Sequence, residues 1–193
     1  AAYVDYPGFA PLQLANPDLK WETTAQFDIG LDVALLDSKI RLSLDYYNKQ
    51  TSDMLLAVPV PRSIGYNTLL QNYGEMQNKG FELSIGATPV ATRDFTWDIN
   101  FNVSRNNNLI KKLAAPINVA TREYIRMEEG HPMFSFYVHE QLGVDPKTGD
   151  IIWNTGDDGV FNINTDRIII DKSAWPEFQG GFNNTLTYKN LDL

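Results

Sequence analysis

Any chemistry in this chain of 193 residues must come from two histidines, twenty-four carboxylates and a scatter of aromatic rings, because it has no cysteine. That absence removes thiol nucleophiles, thiolate zinc sites and disulfide staples together. His131 and His139 flank a stretch that reads as extended chain, and no serine sits in a G-x-S-x-G nucleophile elbow. The carboxylates fall mostly among the polar alternates of extended segments, which suits solvated side chains better than a general acid–base pair. The chain is expected to carry no catalytic residue and to need no cofactor.

Two kinds of binding site remain. GDDG (156–159), with Asn154, Asn162 and Asp166 close by, offers the hard oxygen ligands that calcium takes, so Asp157 and Asp158 are weak metal candidates. Their spacing departs from the D-x-[DN]-x-[DN]-G loop with its distal Glu, and a hydrated loop without metal is the expectation. The second kind is aromatic. Tyr66, Tyr73, Tyr124, Phe134, Phe136, Tyr137, Trp153 and Trp175 lie in irregular stretches, where a ring can stack on a sugar face while polar neighbours bond hydroxyls. Of these, Tyr66, Tyr137, Trp153 and Trp175 are the candidate ligand-binding residues. The plainer alternative is that such rings pack loops onto their own base. Trp21, Tyr46 and Tyr47, near expected strand ends, suit an interfacial girdle.

The elements that must position these residues are strands. TTAQFDIGLDVALL (23–36) sets Ala25, Phe27, Ile29, Leu31, Val33 and Leu35 against Thr24, Gln26, Asp28, Gly30 and Asp32. KGFELSIGAT (79–88) and FTWDINFNVS (95–104) alternate in the same way. Strict alternation puts one chemistry on each face of an extended strand, whereas a helix would scatter both sets. At ~3.3 Å per residue the first stretch reaches on the order of 40 Å; tilted by about 40°, it still covers the apolar band of an outer membrane. Alternation alone also serves a soluble β-protein whose apolar faces form an ordinary core.

Composition narrows the partners. A formal charge of −8, with no basic run beyond Lys111-Lys112, argues against nucleic acid, which needs clustered cations. Hydrophobic residues make up 43% of the chain and mean hydropathy is −0.29, so no stretch approaches the ~18 apolar residues of a membrane helix. Barrel strands, half apolar, escape that test. AAYVDYPGFAP shows no basic segment followed by an apolar one, so no signal peptide is visible; the chain reads as cytoplasmic or as a piece of something longer.

Taken in order, residues 1–18 read as loop, broken by Pro7, Pro11 and Pro17. Spanning strands are expected over about 19–36, 40–53, 76–88, 95–109 and 178–189. DSK (37–39) and 89–94, opening with Pro89, are short turns. The stretches 54–74 and 111–177 are long excursions, the second holding a hairpin over 133–153 around the turn DPKTGD (145–150). Short and long connections thus alternate, as they do between the two rims of an outer-membrane barrel.

On these residues a resemblance appears. NPDLKWETTAQFDIGLD (16–32), LDYYNKQTSDMLL (44–56), NKGFELSI (78–85), DPKTGDIIW (145–153) and PEFQGGFNNTLTYKNLDL (176–193) resemble, in the same order, the barrel of SusC/RagA-type TonB-dependent outer-membrane transporters. The resemblance implies an all-β fold, an antiparallel meander of long strands forming a segment of a large transmembrane β-barrel with long outer loops, all of 1–193 belonging to it. Nothing matches the plug domain, the TonB-contacting box or the closing strand of such transporters, so a fragment that cannot transport by itself is expected. The resemblance further implies that the parent imports a glycan or peptide from the outer membrane, with outer-membrane lipid, TonB and a SusD-like surface lipoprotein as partners. Cut from its barrel, the piece is expected to self-associate or to collapse into a two-layer sandwich. A soluble β-rich ligand-binding module is the alternative.

Overall fold

The computed structural model describes residues 2–3, 6–7, 14–119, 122–156 and 158–193. Ala2–Tyr3 (β1) and Tyr6–Pro7 (β2) form a two-residue antiparallel ladder within the stretch expected to be loop. Residues 14–22 run as coil with a turn at 17–18. The long strands are β3 (Thr23–Leu35), β4 (Ile40–Pro59), β5 (Thr68–Ala91), β6 (Phe95–Lys112) and β13 (Gln179–Tyr188). With the short β14 (Leu191–Asp192) they make one six-stranded antiparallel sheet in the order β14-β13-β6-β5-β4-β3. The meander arises because short connections join β3, β4, β5 and β6 in turn and the excursion after β6 returns the chain beside it as β13.

Register decides what the faces carry. Leu31 lies opposite Leu44, Leu44 opposite Leu83, and Leu83 opposite Val103. Ile85 faces Phe101, which faces Phe182, while Trp97 faces Leu186. Opposed residues of an antiparallel ladder share a face, so Phe27, Ile29, Leu31, Leu42, Leu44, Phe81, Leu83, Ile85, Trp97, Ile99 and Phe101 all lie on one side. Asp32, Ser43, Ser84, Asn102 and Gly181 follow one another across the other. No second layer of described residues covers the apolar face: Phe27 and Ile29 are each 60% exposed and Phe182 64%. In this structure the sheet stands as a single layer over these residues.

Several boundaries differ from the sequence expectation. The ladder between β4 and β5 does not stop at residue 53 but continues to the pair Pro59–Thr68. A bulge between Thr51 and Met54 makes this possible, with Asp53 at φ 56°, a conformation that Asp tolerates better than most residues. Pro59 costs the sheet little because it occupies the last pair, and only 60–67 remains as loop. Likewise Pro89 does not end β5. It falls in a bulge between Ala87 and Val90, where its missing N–H interrupts no regular pair, and the turn is confined to 92–94. At the 36–39 turn, Leu36, Asp37 and Ser38 all take positive φ (52°, 53° and 65°).

The long excursion is folded. β7 (Ile117–Val119), β8 (Arg122–Met127), β9 (Ser135–His139) and β12 (Arg167–Ser173) form a four-stranded sheet in the order β12-β9-β8-β7. β10 (Gln141–Val144) and β11 (Ile151–Trp153) form a separate hairpin. Its turn closes as expected, with the Asp145 N–H donating to the Asp150 carbonyl at 2.9 Å and Gly149 at φ 80°. The expected hairpin over 133–153 is thus corrected: its first half joins the four-stranded sheet, and only 141–153 turns back on itself. Where this excursion meets the main sheet lie the buried apolar residues of the described chain, Ile110 and Ile125, with Ser135 fully enclosed.

Candidate functional site

The polar face and the excursion beside it hold the residues that could meet a ligand. On β4, β5 and β6, Tyr47, Gly80 and Asn106 are successive partners, as are Lys49, Asn78 and Asn108 one register step further along. The Tyr47 hydroxyl donates to Oδ1 of Asn106 at 3.0 Å, passing over Gly80, where a Cβ would meet that hydroxyl at 2.7 Å and also the carbonyl oxygen of Arg105. Glycine is the residue that lets the ring lie flat on the sheet there. Nδ2 of Asn108 donates to Oδ1 of Asn78 at 2.8 Å, and Oδ1 of Asn108 accepts the backbone N–H of Met133 at 2.7 Å. An amide ladder thus ties the base of the excursion to the sheet. Nearby, the Ile110 N–H donates to the His131 carbonyl and the Gly130 N–H to the Ile110 carbonyl.

A groove opens between β6 and the returning segment 172–177, lined by Met76, Asn78, Asn106, Asn108, Met133 and Trp175 among others. Trp175 is 60% exposed there, its ring 6.4 Å from that of Phe134. At the groove's edge Lys172 hydrogen-bonds Glu177 and, with its charge and that of Arg105, holds the Glu177 carboxyl below the ordinary carboxylate range.

The four ring candidates do not converge. Trp153 stacks on Phe161 (5.1 Å between centroids, 19° between planes), and His139 meets both rings edge-on. The Arg126 guanidinium lies 4.6 Å over the Tyr137 ring. Tyr66 is half-buried in the 60–67 loop. Trp175 alone of the four lines the groove. The rings of Tyr137 and Trp153 are engaged within the excursion, the packing role set beside ligand binding above.

In the acidic loop the carboxylates of Asp158 and Asp166 bond their own backbone. Oδ1 of Asp158 accepts the Val160 N–H at 2.9 Å, and the Asp166 carboxylate accepts the Asn162 N–H at 2.6 Å. These carboxylates close turns of their own loop, and among the described residues no three His, Asp or Glu come together in one group. Asp157, the other weak candidate, lies outside the described residues. His139 is turned to the Ile163 carbonyl at 3.0 Å and to its aromatic neighbours.

Sequence reasoning missed Asn78, Asn106 and Asn108, and it set Tyr47 in an interfacial girdle, whereas the register places Tyr47 on the polar face, opposite to Tyr46. The asparagine density of SRNNNL (104–109) is the one signal in the sequence that marks Asn106 and Asn108.

Comparison with known proteins completes the description. A family model described as TonB dependent receptor-like, beta-barrel, matches residues 2–129. TonB-dependent receptor P3 of Formosa agariphila is 37% identical over 96% of this chain and 21% of its own length. TonB-dependent receptor SusC of Bacteroides thetaiotaomicron is 32% identical over 92% of this chain and 19% of its own length. The RagAB peptide transporter superposes with a TM-score of 0.83 at 29% identity, covering 100% of this chain and 22% of the matched chain. The RagAB peptide importer in its open-open state gives 0.83 at 32%, covering 97% and 21%. The chain spans about a fifth of the length of these relatives.

Proposed function

The chain belongs to the TonB-dependent receptor β-barrel family, and from that premise we propose that it is a wall segment of an outer-membrane nutrient importer. The observation that carries this reading is the two-faced sheet, apolar on one side and rich in Asn, Asp and Ser on the other. In a bilayer the apolar face meets lipid, the polar face lines a watery lumen, and the short turns and long excursions sit at opposite rims. Every backbone group of the wall is satisfied only once the sheet closes with the rest of the receptor. A soluble ligand-binding module would need a core on the apolar face, and nothing favours one.

The substrate is a peptide or a glycan, in keeping with the peptide transport attributed to RagAB. TonB supplies the energy, and a SusD-like surface lipoprotein works with the outer loops. A fifth of such a receptor does not transport alone; the segment contributes wall and loop. Trp175, on the groove, is the ring best placed to touch a ligand, with Tyr137 and Trp153 as supports of the excursion around it and Tyr66 on the separate 60–67 loop.

Uptake by cells carrying the full-length receptor tests the reading. Accumulation of labelled peptides or oligosaccharides should fall to background when the receptor is deleted and when an uncoupler is added. Uptake indifferent to both treatments would overturn it.

A further inference from the structure

We propose that Lys49 and Asn78, side by side on the polar face, form a carboxylate-binding subsite of the importer wall, reached along the groove that Trp175 borders. The proposal rests on the reading of that face as the lumen lining. Its evidence is the hydrogen-bond direction within the amide ladder.

One backbone group sets every amide in that ladder. The N–H of Met133 can only donate, so the atom of Asn108 facing it is the oxygen. Nδ2 of Asn108 therefore faces Asn78, whose oxygen accepts it. The same oxygen faces Nδ2 of Asn106 at 3.5 Å, which leaves Oδ1 of Asn106 for the Tyr47 hydroxyl. All three amide oxygens are thereby used. Nδ2 of Asn78 has no acceptor among the described residues.

Lys49 stands directly opposite Asn78 in the β4–β5 ladder, where facing Cβ atoms lie about 4.5–5.5 Å apart. It is exposed, and no carboxylate among the described residues pairs with it. The nearest one on the face in register, Asp28, lies diagonally across and accepts from Nε2 of Gln26 at 2.9 Å. An ammonium and an amide N–H₂ thus share one spot; the neutral Gln26 amide faces Lys49 from β3, and no carboxylate among the described residues is bonded to either. A carboxylate satisfies both, one oxygen to each, through charge-assisted hydrogen bonds. Elsewhere the same face carries Asp28, Asp32, Asp45, Glu82 and Asp98, with Arg41 as the other cation. An anionic group is repelled along most of that wall and held at Lys49.

The carboxylate has two possible sources, a peptide or the uronic acid of a glycan, and matched probes separate them. Binding to the purified full-length receptor would be measured for trialanine against its C-terminal amide, and for trigalacturonate against its methyl ester. One pair should show about a tenfold preference for the free acid, the size expected of a charge-assisted bond. Lys49→Met should abolish that preference. So should Asn78→Asp, which keeps the oxygen the ladder needs but replaces the free Nδ2 with an anionic oxygen that occupies Lys49. In intact vesicles, Lys49→Cys should react with a membrane-impermeant maleimide. Failure to label would overturn the lumen reading and this subsite with it. Labelling without acid preference in either pair, or a preference that survives both substitutions, would overturn the subsite alone.

Discussion

Gly80 shows how tightly a single position on the polar face is held. A methyl group there meets the Arg105 carbonyl oxygen, which belongs to the neighbouring backbone, and the Tyr47 hydroxyl at 2.7 Å. At Gly86 the nearest atoms are Oδ1 of Asn100 at 3.2 Å and the Arg41 guanidinium at 3.3 Å, flexible ends that can move aside. Gly80→Ala should therefore destabilise the full-length receptor by about 1–3 kcal/mol, the range of overpacking, whereas Gly86→Ala should be near neutral. Thermal unfolding of the two variants in detergent checks the contrast. Equal midpoints would mean that the Tyr47–Gly80–Asn106 stack constrains nothing.

At the scale of the element, the strand's period of two makes an environmental prediction. Leu31 and Asp32 are neighbours in β3, as are Ile99 and Asn100 in β6, yet each pair is divided between faces. Arg at Leu31 or Ile99 should cost roughly 2–4 kcal/mol if that face meets the bilayer midplane, and Arg at Asp32 or Asn100 should be tolerated. Insertion and folding yields of the four variants in lipid vesicles read this directly. Equal losses for both parities would point to a buried core on each side. The bulges at 51–54 and 87–90 limit the comparison to residues between them, because a one-residue slip exchanges the faces.

For the whole molecule, the excised chain has two liabilities. The outer edge of β3 has no partner strand among the described residues, and most of β13 lacks one beyond β6. The apolar face leaves Phe27, Ile29, Leu31, Leu35 and Phe182 more than half exposed. Each such side chain forgoes about 1.5–3 kcal/mol in water, so several together rival the stability of a whole domain. The isolated chain should sediment as an oligomer in detergent-free buffer and disperse when detergent covers that face. A monodisperse monomer without detergent would show that the exposed face needs neither lipid nor a second copy.

What the sequence determined by itself was everything that repeats locally. Alternation over 23–36, 79–88 and 95–104 assigned each side chain to a face, because successive residues of a strand point oppositely wherever the strand ends up. It also marked the 145–150 turn, whose Pro146 and Gly149 carry their backbone preferences with them, and five segments in order, from 16–32 to 176–193, together carried the resemblance to the family. Tertiary structure decided what depends on distant partners. The β4–β5 ladder runs through Asp53 and on to Pro59 because pairing with 68–74 outweighs the local signs of a break. β8 and β12 were invisible as a sheet because Ile125 and Ile169 acquire their strand neighbours only through β9. The amide ladder is the extreme case. Asn78, Asn106 and Asn108 are individually ordinary polar alternates, and only the register of β5 on β6 and the docking of Met133 turn them into an ordered set of donors.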